Sequence, residues 1–207
     1  EFNSILESLK QTEDLTCNVE TTSITKQGNG EFAKIENNVI EQKQEGLYAV
    51  KYHPHLGNPS IQVLKDLYDL VSSLKDVEVR LSTKEEMYII NLTAEEANKV
   101  LDIINNDNAS TELQESVSCV GATICQQGIA DSSGLLKKII QVDKEENFKN
   151  GLLPKLCISG CQSSCAAHQT GRIGFKGGKK KVDNVLTDVF DVFFGGNEIQ
   201  GKECFGE

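Results

Sequence analysis

The feature that most constrains the fold is a regular alternation of strand and helix patterns between Leu47 and Ile104. The segment "LYAVKY" predicts a strand, and "SIQVLKDLYDLVSSL" repeats apolar residues at helical spacing. "DVEVRLS" alternates as a strand does and "EMYIINL" predicts its neighbour, after which Thr93 and Glu96 form a capping box that opens a second helix. The β-α-β-β-α order predicts a ferredoxin-like α+β unit over residues 45–110.

The same patterns predict which side chains are buried. The first helix, capped by Asn58 with Pro59 at its first position, should bury one stripe, and the strand after it should turn three apolar residues to the core and Arg80 away from it. The second helix should bury a stripe of its own. In chain order the three sets are Ile61, Leu64, Leu67, Tyr68, Val71 and Leu74; Val77, Val79 and Leu81; and Ala97, Val100, Leu101 and Ile104.

The flanking regions are less regular. Residues 1–44 are polar and poorly defined, with a short amphipathic helix at the start and a turn signal at "QGNGEF". Residues 111–207 predict a mixed α/β domain with strands near "LPKLCIS", "GRIGFKG" and "NVLTDVFDVFFGG", the last two joined by a lysine-rich turn. Helices are predicted at "ATICQQGIAD", at "SGLLKKIIQ" and around Cys165.

Composition excludes several classes of protein. The 207 residues carry a formal net charge of −10, which disfavours nucleic-acid binding, since that needs a basic face. No apolar run is long enough to span a bilayer and the start lacks the pattern of a secretory signal, so we expect a cytoplasmic protein without membrane contact. Seven cysteines in such a chain favour metal or redox chemistry over a disulfide framework.

Four of these cysteines form two spaced pairs. Cys119 and Cys125 are separated by five residues, Cys161 and Cys165 by three, and 35 residues lie between the pairs. Zinc sites more often use more closely spaced pairs of cysteines. Four thiolates can instead ligate a 4Fe-4S cluster, whose irons are wider apart than the sulfurs around one zinc ion, so wider cysteine spacing suits it. Spacing alone leaves three interpretations open, namely a cluster, a zinc ion and unligated thiols.

The second pair lies within a basic segment. Residues 151–181 contain six basic residues and no Asp or Glu, which indicates a local anionic ligand or, alternatively, a solvated lysine loop. The six are Lys155, Arg172, Lys176, Lys179, Lys180 and Lys181.

Two linked motifs resemble the siroheme and 4Fe-4S domain of the nitrite and sulfite reductases. They are the C-x5-C pair followed by "SGCQSSCAAHQTGRIGFKGG", and the upstream unit from "GLYAVKYHP" to "KVLDII", in which "VRLSTKEEMY" takes the place of an R-L-T-T-R-Q segment. The resemblance covers residues 45–207. It implies a redox enzyme in which electrons from an external donor, such as a ferredoxin or a flavin-containing domain, pass from the cluster through a bridging cysteine to siroheme and reduce sulfite to sulfide or nitrite to ammonia.

The resemblance also implies residue roles. Cys119, Cys125, Cys161 and Cys165 would ligate the cluster, with Cys165 as the bridge to siroheme. Binding of siroheme carboxylates or of the oxyanion would fall to basic side chains, since both are anionic. The candidates are Arg80, Lys84, Lys155, Lys176, Lys179 and Lys181. His168 is a weaker candidate proton donor, with packing under the motif as the alternative, and Cys157 is interpreted as a bystander.

Departures from the family pattern keep other hypotheses open. Lys84 and Glu85 stand where the family has arginine and glutamine, Gln162 replaces a proline and Arg172 an acidic residue. The family contains two copies of this two-part unit and continues beyond the segment "GKECFGE". The chain is therefore interpreted as an excised, C-terminally truncated domain, a single-unit reductase or a half-site completed by a homodimer. The alternatives are a 4Fe-4S electron-transfer module without complete siroheme catalysis and a zinc-stabilised structural domain.

Overall fold

The computed structural model describes residues 2–12, 23–28, 30, 32, 38–146, 148–149 and 152–207. These residues form the helices α1 (Phe2–Thr12), α2 (Ile61–Ser73), α3 (Ala94–Ile104) and α4 (Ser132–Glu146). They also form the strands β1 (Val39–Glu41), β2 (Tyr48–Tyr52), β3 (Glu78–Leu81), β4 (Met87–Leu92), β5 (Val117–Ser118), β6 (Leu156–Ser159), β7 (Ile173–Val182) and β8 (Val185–Phe194).

The first sheet confirms the predicted β-α-β-β-α unit. Its strands are antiparallel and lie in the order β1-β2-β4-β3, so β1, which precedes the predicted unit, adds one edge strand. Val50 and Ile89 on the central strands are fully buried and pack with Val100 and Ile104 of α3. The capping box of Thr93 and Glu96 at the start of α3 is present as predicted.

The second sheet gives the mixed α/β part of the fold. β5, β6 and β7 are parallel, and β8 returns antiparallel to β7, giving the order β5-β6-β7-β8. Leu136 of α4 and Ile158 of β6 are fully buried in its core. Within the described residues, no helix is long and apolar enough to cross a membrane.

The predicted burial of α2 and β3 is wrong in part. The helix begins at Ile61 after Ser60 rather than at Asn58, and its buried face runs through Leu67 with Val63, Leu70, Val71 and Leu74. Ile61, Leu64 and Tyr68 of the predicted stripe are exposed, as are Val79 and Leu81 of β3. A helix that packs beside another helix at the edge of a sheet buries only part of its apolar surface, and β3 is the edge strand.

Three predictions for the second domain are also wrong. The helix predicted at 122–131 is replaced by a short 3-10 turn, Gly121–Thr123. The short helix predicted around Cys165 is also replaced, by consecutive turns in which Cys165 lies. The lysines lie within β7, and the tight turn to β8 is made by Asp183 and Asn184, both with positive φ. The predicted helices at the start of the chain and at 133–141 are confirmed as α1 and as part of the longer α4. The turn signal at 27–32 lies partly outside the described residues, and Cys17 lies outside them.

Candidate functional site

The two cysteine pairs follow neighbouring parallel strands. β5 and β6 pair with Ser118 opposite Ile158, Cys119 comes directly after β5, and Cys161 comes two residues after the end of β6. Because parallel strands end at the same edge of a sheet, the Cys119–Cys125 loop and the Cys161–Cys165 loop lie side by side. This edge is the candidate functional site.

Gly160 holds the two loops together through its backbone. Its amide donates to Cys119 Sγ at 3.1 Å, and its carbonyl accepts from the amides of Ile129 at 3.1 Å and Ala130 at 2.9 Å. A Cβ on Gly160 would lie 2.6 Å from the Ala130 carbonyl oxygen, so only glycine permits this close approach. Backbone contacts therefore place the two loops independently of their exposed side chains.

The four thiols differ in exposure. Cys161 is buried, Cys119 is half-buried with Sγ 3.2 Å from Ser132 Oγ, and Cys125 and Cys165 are exposed. Side-chain and backbone hydrogen bonds from Ser163 lower the pKa of the Cys161 thiol. A lowered pKa favours the thiolate, which is the form that binds metals.

Cys165 lies in a strained stretch of backbone. Ser164 and Ala167 both have positive φ, 56° and 51°, a region that L residues rarely adopt. Ser164 Oγ donates to Gln169 Oε1 at 2.5 Å, and the Ala166 amide donates to Ser159 Oγ at 3.2 Å. Such strain persists where surrounding contacts impose it, and here it accompanies exposure of the Cys165 thiol at the rim of the loop.

The thiols are not gathered into a closed ligand set. In the part of the chain that the structure describes, no group of three or more His, Cys, Asp or Glu side chains is placed to hold a metal ion. All four thiols are free of disulfides and belong to adjacent loops, so their chemistry fits an iron-sulfur cluster.

The basic residues of β7 have acidic partners on β8. Lys176 Nζ lies 3.0 Å from Asp191 Oδ2 and 5.5 Å from the centre of the Phe193 ring, and Lys179 pairs with Asp188. The charge count along residues 151–181 missed these carboxylates. The turn at Asp183 and Asn184 could have indicated them, because pairing outwards from it sets Lys179 opposite Asp188 and Lys176 opposite Asp191. Lys181 is exposed near the hairpin end.

The other predicted basic residues lie elsewhere. Lys155 Nζ is 3.8 Å from Glu86 Oε1, and Lys84 pairs with Glu198, so both join the first unit to the second domain. Arg80 is exposed on β3 and pairs with Glu78 at 3.0 Å. The predicted cations therefore do not form one patch. Of those on β7, Lys176 lies nearest the cysteine loops, because the strand register sets it beside Ser159, the last residue of β6.

His168 and Cys157 are packed under the motif. His168 is fully buried, its ring is 5.2 Å from that of Phe193, and Nδ1 has no hydrogen-bond partner among the described residues. Burial, with a smaller effect of Lys176, lowers the pKa of His168, so the ring is neutral at pH 7. Cys157 is half-buried on β6, and burial raises its pKa.

Glu85 lies between the first unit and the second domain. It has a positive φ of 61°, and within the described structure its buried Oε2 has no hydrogen-bond partner. Burial raises the pKa of Glu85 to about 7, although a backbone hydrogen bond with Ser118 and the charge of Lys155 oppose the shift. Because the unfolded pKa is lower, the unfolded state loses this proton first, and stability falls as pH rises from about 4.5 to about 7.

Glu85→Gln should remove this loss. We expect the variant to be more stable than the wild type by about 1–2 kcal/mol near pH 8 and nearly equal to it near pH 4.5. Urea unfolding across this pH range measures the difference, with Glu95→Gln on the exposed surface of α3 as the control. Equal pH slopes for Glu85→Gln and the wild type would contradict the assignment.

The fold defined by this geometry is also found in a solved structure. The structure of the Mycobacterium tuberculosis NirA protein matches the whole chain with a TM-score of 0.75 at 20% identity, and the chain covers 38% of it. This match establishes the α+β fold of the two-part unit.

The homologues are sulfite reductase hemoproteins and ferredoxin–nitrite reductases. The chain is 26% identical over 127 residues to the sulfite reductase [NADPH] hemoprotein beta-component of Bacillus licheniformis, covering 54% of this chain and 22% of that protein. It is 27% identical over 168 residues to the chloroplastic ferredoxin–nitrite reductase of Zea mays, covering 76% of this chain and 29% of that protein. No family model matches. The resemblance seen in the sequence is confirmed, and the chain spans less than a third of the length of these relatives.

Proposed function

We propose that this chain is the cofactor-binding part of a siroheme-dependent nitrite or sulfite reductase. In this proposal Cys119, Cys125, Cys161 and Cys165 hold a 4Fe-4S cluster, and Cys165 is also the ligand shared with siroheme. The substrate is sulfite or nitrite, and the electrons come from an external donor of the ferredoxin or flavin type. The names of the relatives support the oxidoreductase class.

The observation that carries the proposal is the backbone junction at Gly160. The Gly160 amide donates to the Cys119 sulfur, and the Gly160 carbonyl accepts hydrogen bonds from the amides of Ile129 and Ala130, which follow the first cysteine pair. The second pair begins at the next residue, Cys161. Hydrogen bonds to ligand sulfurs tune the potential of iron-sulfur centres. A structural zinc site needs the same four thiols but no exposed, strained ligand such as Cys165 at its rim.

When bound, the cluster and siroheme would supply electrons and the iron at which the oxyanion is reduced. The residues of the chain would do the rest. The lowered pKa of Cys161 favours the thiolate form of its ligand atom, and the Gly160 amide donates a hydrogen bond to the Cys119 sulfur. Lysines of β7 would balance the charge of carboxylates or oxyanions, in exchange for their present aspartate partners.

An absorption spectrum after anaerobic reconstitution with iron, sulfide and siroheme tests the proposal. We expect a chlorin-like band together with cluster absorption, and iron that remains with the protein through gel filtration. Zinc binding without any iron-dependent absorption would contradict it.

A second function is favoured by one observation. Because Lys176 and Lys179 already pair with Asp191 and Asp188, these two lysines would have to leave their aspartates before binding the carboxylates of siroheme. The alternative is an electron-transfer module that carries the 4Fe-4S cluster alone. Cluster absorption without a chlorin-like band in the same experiment identifies this function.

Replacing Lys179, Lys180 and Lys181 by Ala should weaken anion retention. We expect siroheme content to fall, or the KM for the oxyanion to rise, by about tenfold, because charge-assisted contacts are lost at three positions. The measurements are haem content and steady-state kinetics. The control removes the same charge from the exposed side of α4 at Lys137, Lys138 and Lys144. Unchanged haem content and KM would assign the three lysines to an ordinary exposed strand end.

A further inference from the structure

The exposed edge of the first sheet carries an unusual combination of side chains. β3 is the terminal strand of the order β1-β2-β4-β3, and among the described residues no strand pairs with its outer edge. The four residues Glu78–Leu81 contain no proline or lysine and pair with β4 without a bulge. Proline, lysine and a bulge are among the devices by which sheet edges usually avoid pairing with other chains, and β3 has none of these three.

The apolar face of this edge is uncovered. Val79 and Leu81 lie opposite Ile89 and Met87 of β4, whose side chains pack in the core under the helices. Alternation therefore points Val79 and Leu81 to the helical side of the sheet, yet they are 49% and 80% exposed. At this edge the apolar side chains on the helical side of the sheet are therefore left exposed.

The exposed stripe of α2 accompanies this open face. Ile61 and Tyr68 are 73% and 72% exposed, and Leu64 lies between them on the same side of the helix. α3 contacts β2, α2 packs beside α3, and residues 74–77 lead directly from α2 into β3. α2 and β3 are thus joined by a short connection, and each carries exposed apolar side chains.

The polar face of the same edge is self-complementary in charge. Glu78 and Arg80 lie on the opposite face from Val79 and pair with each other, both more than half exposed. If two β3 strands pair antiparallel about Val79, then Glu78 of each faces Arg80 of the other, Val79 faces Val79, and Leu81 faces Val77. Centring the pairing on Glu78 or Arg80 would oppose like charges. Centring it between two residues would set apolar side chains against charged ones.

We propose that a second copy of this chain docks on the β3 edge, so that the two β3 strands pair antiparallel about Val79 and the two first sheets become one eight-stranded sheet. Such a contact has two-fold symmetry and uses the same patch on both copies. It covers Val79 and Leu81, which are exposed in the single chain. The interface lies outside the cysteine loops and does not depend on the proposed redox function.

Sedimentation equilibrium of the chain and its charge variants tests the proposal. The wild type should dimerise at concentrations up to about 100 μM, and Glu78→Arg or Arg80→Glu alone should weaken the dimer by about tenfold or more, since each places like charges opposite one another twice. The double exchange Glu78→Arg with Arg80→Glu restores both pairs and should restore the dimer. Lys99→Glu, which reverses one charge of an exposed ion pair on α3, should leave it unchanged.

Each of three results would overturn the proposal. They are a wild type that stays monomeric, a single charge variant that dimerises as well as the wild type, and a double exchange that stays monomeric. Thermal melting followed by circular dichroism shows that the variants are folded, because exposed ion pairs contribute little to stability. If the β3 edge instead binds a different protein, the isolated chain is monomeric, and the first of these results is observed.

Discussion

With the proposed function, Cys165→Ser is expected to lower reductase activity of the reconstituted protein by at least about a hundredfold. Mutating a residue that only hydrogen-bonds to a metal ligand already lowers metal affinity or activity by about 10–100-fold. A serine hydroxyl is a poor ligand for iron, and the shared thiolate of the proposal would be lost. The fold should not change. The Cys165 side chain is exposed, and no hydrogen bond to its sulfur is found in the described structure.

Cys204→Ser is the matched control for this experiment. Cys204 is also free and exposed, but it lies in the C-terminal segment beyond β8, where its thiol donates to the Gly195 carbonyl at 3.4 Å. We expect this variant to retain full iron content and activity. A Cys165→Ser protein that reduced sulfite or nitrite at the wild-type rate would remove Cys165 from its assigned role.

Gly174→Ala should destabilise the protein by about 3 kcal/mol or more, because overpacking against fixed atoms has no inexpensive relief. A Cβ at this position would lie 1.8 Å from the backbone oxygen of His168 and 2.7 Å from its carbonyl carbon. Either β7 or the end of the cysteine loop must then move. We expect the melting temperature to fall by about 10 °C, with a loss of reconstituted iron as the loop shifts.

Gly178→Ala gives the comparison for this prediction on the same strand. A Cβ on Gly178 would meet only Val189 Cγ2, at the ordinary distance of 3.7 Å. Its effect should be within about 1 kcal/mol, with a small gain expected from lower entropy of the unfolded chain. If both alanine variants melted at the same temperature, close contact between β7 and His168 would not be what fixes the loop.

The local sequence pattern correctly predicted those features of the fold that depend on a single helix or strand. The strand and helix order of the first unit, the capping box of Thr93 and Glu96, and the burial of Ala97, Val100 and Ile104 were predicted correctly, since each depends on residues within a few positions of one another. The spacing of the cysteines and the motif around them also indicated the resemblance to the nitrite and sulfite reductases, which the homologues bear out.

Local pattern failed where a partner element decides the outcome. Which side of α2 is buried depends on its packing beside α3, and whether Val79 and Leu81 are covered depends on what lies beyond the sheet edge. Likewise, residues 151–181 are a basic segment when counted along the sequence, but in the fold Asp188 and Asp191 of β8 pair with two of its lysines.

The sequence by itself determined the fold class, the family resemblance and the four thiols proposed as ligands, because these follow from the order and spacing of residues along the chain. Only the tertiary structure decided that Gly160 joins the two cysteine loops, that Lys176 and Lys179 have aspartate partners, and that β3 is an edge strand of its sheet among the described residues. The physical reason is that such contacts join residues far apart in sequence, and their partners are fixed by strand register and packing.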